Sequence, residues 1–113
     1  IGEKPHIVYD WDSLQLEKEP ALVARAAVNF TYIPFLEGVA HTPTPAEARS
    51  FIEEYEVARG TTFNSAERQT LTAAMIMGLA YGARCEHSLA PHEREYPAGS
   101  RRATLALYRD SVL

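Results

Sequence analysis

Residues 64–91 constrain this chain more than any other stretch. Asn64 with Glu67 three positions on is a capping-box signal, in which each side chain satisfies the other's backbone N–H. No proline follows until Pro91, and residues 71–83 are apolar or small nearly all round. A helix that is apolar around its whole circumference belongs in an interior. The stretch therefore predicts a buried central helix over about 65–89, ended by Pro91. Gly78 and Gly82 each cost such a helix roughly 1 kcal/mol against alanine. Together with Ala80 and Ala83 they are read as places where a neighbouring element comes close.

Other helices are punctuated around it. Thr44 is an N-cap, Pro45 suits the first helical position, and Glu47 completes a second capping box. That helix runs to about Arg59, with Gly60 as its stop. Phe51, Ile52, Tyr55 and Ala58 or Arg59 give it an apolar stripe, while Glu53, Glu54 and Glu56 spread around the other side. Earlier, Pro20 suits the first turn of a helix over 21–33, with Leu22, Ala26, Phe30 and Ile33 near one stripe. Val28 and residues 30–33 are also strand-friendly types, and Pro34 ends or kinks the element. Residues 34–44 and 91–99 read as loops. Ser100 caps a final helix over about 101–111, with Ala103, Leu105 or Ala106, Leu107 and Val112 as its apolar positions. Arg101 and Arg102 near its start oppose the helix dipole, a placement that an acidic contact would offset.

Ahead of the helices lies Ile7-Val8-Tyr9-Asp10-Trp11-Asp12-Ser13-Leu14. Its bulky and branched residues predict a strand over about 7–11. In an extended backbone, side chains two apart share a side. Asp10 and Asp12 then face one cleft, and Trp11 points the opposite way. Two carboxylates at the mouth of a strand suit a hard cation such as Mg²⁺. The same two acids are also ordinary turn and cap residues. One strand cannot satisfy its own backbone groups. The 113 residues contain no good partner for it. A preceding part of the protein or another molecule is expected to supply the neighbour.

The totals close off several functions. The chain reads as one unit, with the strand and acid motif in 1–14 and a helical part in 20–113. At 46% apolar residues it is globular rather than disordered. A net charge of −4 argues against binding nucleic acid by neutralising phosphates. No apolar run is long enough for a membrane span. With no leader pattern at its start and one cysteine, Cys85, the expected location is cytoplasmic. Cys85 and His87 sit two apart on a helix and do not face each other, so Cys85 reads as a small apolar filler. His6, His41, His87 and His92 form no zinc spacing, and no nucleophile-elbow motif occurs. Glu53, Glu54 and Glu56 suit either a cationic substrate or, more simply, a solvated face. Arg84, late in an apolar helix, is expected to pair with the neighbourhood of Glu86 or with an acid across the core, since buried arginines are usually paired.

Val8-Tyr9-Asp10-Trp11-Asp12-Ser13-Leu14, followed by Glu19-Pro20-Ala21-Leu22 and a helix, resembles the metal-binding segment of the aminoglycoside phosphotransferase and choline kinase-like family. The residues from Gly78 to His87 also resemble that family's long C-terminal helix. The resemblance implies a mainly α fold with one short strand: the C-terminal helical part of a protein-kinase-like larger lobe. It implies an ATP- or GTP-dependent phosphotransferase acting on a small-molecule hydroxyl. Asp10 would hold the Mg²⁺ that bridges the nucleotide phosphates, and Asp12 would assist as an auxiliary metal group. The family's H-x-D-x-x-x-x-N catalytic loop has no counterpart in this chain, and no His-x-Asp occurs. No catalytic residue is therefore assigned, and the chain alone is expected to be inactive and to bind nucleotide weakly. Its expected partners are a small-molecule substrate and either the preceding part of the same protein or a homodimer mate. The alternative is a non-catalytic helical binding or interaction module.

Overall fold

A computed structural model describes residues 16–32 and 41–109. They form four helices: α1 (Glu19–Ala27), α2 (Pro45–Arg59), α3 (Ser65–Leu89) and α4 (Arg101–Arg109). The fold is mainly helical, and no strand occurs among the described residues. The strand expected over 7–11 lies outside them. Both α1 and α4 pack on α3, and α2 packs on α1.

Where caps are strong, the helices begin and end where the sequence places them. In α2 the Glu47 N–H donates to Thr44 Oγ1 at 3.2 Å, and the Thr44 N–H donates to Glu47 Oε2 at 2.9 Å. Gly60 closes it at φ +87°, a left-handed conformation open to glycine. In α3 the reciprocal pair is Glu67 N–H to Asn64 Oδ1 at 2.8 Å and Asn64 N–H to Glu67 Oε1 at 3.0 Å.

α1 differs from expectation at both ends. It starts at Glu19 and stops at Ala27, after which residues 28–31 turn. Asn29 drives the exit, because its Nδ2 donates to the Arg25 carbonyl at 2.6 Å and competes with continued helix. Nor do Leu22, Ala26 and Phe30 form the inner face, and Ile33, expected with them, lies outside the described residues. Pro20, Val23, Ala24 and Ala27 are buried, followed by Val28, while Leu22 and Phe30 are half exposed. Close approach to α3 selects this stripe. Val28 Cγ2 lies 3.8 Å from where a Cβ on Gly78 would stand, and the two alanines are fully buried. Phe30 instead stacks on Phe51 of α2, with ring centroids 5.1 Å apart.

α3 is not buried all round. Leu71, Met75, Leu79 and Ala83 form one buried stripe at four-residue spacing. On the other sides Met77 is 72% exposed, Tyr81 71% and Leu89 78%. α1 and α4 both lie over one flank, and among the described residues nothing covers the other. Burying Leu71, Met75 and Leu79 contributes roughly 1.5–3 kcal/mol each. The reading of Gly82 as a close-approach site holds, since a Cβ there would stand 3.0 Å from Arg101 Cγ.

α4 turns Arg101, Thr104 and Tyr108 inward, with Leu105 partly buried. Its expected apolar position Leu107 is half exposed. Residues 110–113, including Val112, lie outside the described residues.

Candidate functional site

Asp10 and Asp12, the expected metal ligands, lie outside the described residues. Among the described residues, no group of three or more His, Cys, Asp or Glu is placed to hold a metal ion. No helix among them is long and apolar enough to cross a membrane.

The acidic residues of α2 divide in two. Glu53 and Glu54 are exposed, but Glu56 is 6% exposed and belongs to the inner stripe with Ala48 and Ile52. This corrects its expected place on the outer side. Spacing explains it, because Glu56 stands four residues after Ile52 and eight after Ala48. Its carboxylate accepts the Phe63 N–H at 2.6 Å and Arg68 Nη2 at 2.8 and 3.1 Å. Burial of the charge is thereby compensated by a cation and a backbone donor. Glu56 ties the α2–α3 connection down, with its carboxylate engaged by Phe63 and Arg68.

The outward side of α2 carries a run of shallow depressions. One of about 280 Å³ is lined by Phe30, Glu47, Ser50, Phe51 and Glu54 among others. A second, of about 330 Å³, continues it past Glu53 and Val57. The Phe30 and Phe51 rings beside the exposed Glu54 suit a cationic group attached to a hydrocarbon frame.

The densest polar junction lies where α1 ends, α2 begins and α4 begins. Arg101 holds it together and is 5% exposed. Its Nη1 donates to the Val28 carbonyl at 2.5 Å and its Nη2 donates to Asn29 Oδ1. The guanidinium carbon lies 3.8 Å from the centre of the Tyr32 ring. Arg101 therefore caps the carbonyl end of α1, where a cation also meets the negative end of the helix dipole. Burial lowers its pKa from the ordinary guanidinium value, while Tyr32 and Glu86 act in the opposite direction. The Glu86 carboxylate accepts the Arg101 N–H at 2.5 Å and the Arg102 N–H at 3.3 Å. This is the acidic contact that the Arg101-Arg102 pair calls for at the start of a helix. Arg102 reaches Glu93 and lies 4.4 Å over the Tyr96 ring.

The segment 41–44 joins the same junction. Thr31 Oγ1 donates to the His41 carbonyl at 2.7 Å, and the Thr42 N–H donates to the Gly99 carbonyl at 2.8 Å. Gly99 has φ +83°, and a Cβ there would come within 2.8 Å of His41 Cβ, so only glycine fits. The Tyr108 hydroxyl donates to the Pro43 carbonyl at 2.6 Å. Burial raises the Tyr108 pKa well above its ordinary value, with the Glu47 charge adding to the effect. His41 Nε2 lies 3.1 Å from Glu47 Oε2. Glu47 itself is held below its ordinary carboxylate value, first by the Thr44 backbone N–H and then by His41.

This junction positions helices rather than carrying chemistry. The hydroxyls of Thr31, Thr70, Ser88 and Tyr108 all donate to backbone carbonyls, so none of them is poised as a nucleophile. Cys85 is exposed, contrary to its reading as a core filler. Arg84, His87 and His92 are not buried either, so Arg84 needs no buried partner. The sequence reading missed Asn29, Glu86 and the inward turn of Arg101. Their only sequence signal was the unfavourable arginine pair at a helix start. Compared with family models, with curated proteins and with solved structures, the chain has no match in any of the three.

Proposed function

We propose that this chain is the C-terminal helical part of a cytoplasmic ATP- or GTP-dependent phosphotransferase acting on a small-molecule hydroxyl. The observation that carries the reading is Val8-Tyr9-Asp10-Trp11-Asp12-Ser13-Leu14 followed closely by helix α1. The mainly helical fold of the remainder is compatible with it. In this reading Asp10 and Asp12 would hold Mg²⁺, which would supply charge neutralisation for the transferring phosphoryl group. The catalytic base and the nucleotide cradle come from a preceding part of the protein. The depressions beside Glu53 and Glu54 offer a place for a positively charged portion of the acceptor.

The test is Mg²⁺-dependent phosphoryl transfer by the whole protein, with a panel of amino-sugar, amino-alcohol and sugar acceptors. Asp10→Ala is expected to abolish turnover while leaving the far-ultraviolet circular dichroism unchanged. Full turnover by a folded Asp10→Ala protein removes Asp10 from the metal-holding role. A second reading, a non-catalytic helical interaction module, is favoured by the exposed Met77 and Tyr81 on α3. It predicts no nucleotide turnover by the whole protein with any acceptor.

A further inference from the structure

We draw no further inference here: the strongest candidate, the apolar face that α3 turns outward at Ile76, Met77 and Tyr81, carries none, because nothing in the structure shows what covers it.

Discussion

Replacing Glu56 by alanine tests whether one inward-turned carboxylate secures the α2–α3 connection. The substitution strands the Phe63 N–H, which has Glu56 as its acceptor at 2.6 Å. Phe63 is 4% exposed, so water does not readily take over. A buried donor left without a partner costs about 1–3 kcal/mol. Loss of the Arg68 pair adds less, about 0.2–1 kcal/mol at an exposed site, because the Arg68 side chain is 39% exposed. The expected loss is about 2–3 kcal/mol, or about 10 °C in melting temperature for a chain of this size. Glu56→Gln keeps an oxygen for the Phe63 N–H and gives up only the charge, so it should cost about 1 kcal/mol. Glu53→Ala, on the exposed side, should stay within about 0.5 kcal/mol of the parent. Urea and thermal unfolding followed by circular dichroism provide the comparison. Equal losses for the alanine and glutamine variants at position 56 would refute the reasoning about Phe63. A Glu56→Ala protein as stable as Glu53→Ala would refute the whole assignment.

Gly78→Ala should stabilise α3 by up to about 1 kcal/mol, since the new methyl meets Val28 at an ordinary distance. Gly82→Ala should lose that gain or reverse it, because Arg101 is tethered at both ends of its guanidinium and cannot retreat; paired denaturation curves decide. Glu47 has a depressed carboxylate pKa in the fold. Its contribution is therefore present above the unfolded value near pH 4.5 and disappears as pH falls through the folded one, so Glu47→Gln should flatten stability against pH in that acid window. Tyr108 has a raised pKa, so its contribution is full below about pH 10 and is lost as the solution becomes more alkaline. Tyr108→Phe should cost about 1 kcal/mol at neutral pH, through the unpaired Pro43 carbonyl, and should unfold less steeply above pH 10.

Helix boundaries were legible wherever local chemistry is self-contained. Thr44 with Glu47, and Asn64 with Glu67, satisfy each other's backbone donors within four residues, so sequence alone locates both starts. α1 was less legible because its exit depends on Asn29 and Arg101, which are 72 positions apart. The inner stripe of α1 was misread for a related reason. Large Leu22 and Phe30 advertise burial, yet Val28 is the residue that meets Gly78, and the small Ala24 and Ala27 are fully buried on the same side. The inner stripe of α3 is readable at four-residue spacing, but an equally apolar outer side hides which stripe the neighbours cover. The buried role of Glu56 was readable from its place after Ala48 and Ile52, had spacing been weighed above charge. For the candidate site, Glu53 and Glu54 stand where a solvated acidic side was expected, while Asp10 and Asp12 lie outside the described residues.

The clasp on α1 has a consequence for synthesis. Arg101 grips Val28 across 73 positions of sequence, so the first helix emerges long before its fastener exists. At translation speeds of roughly 5–20 residues per second, that interval is roughly 4–15 s. Through those seconds a nine-residue helix has neither that fastener nor the later helices it packs against, and such a short helix alone is marginal in water.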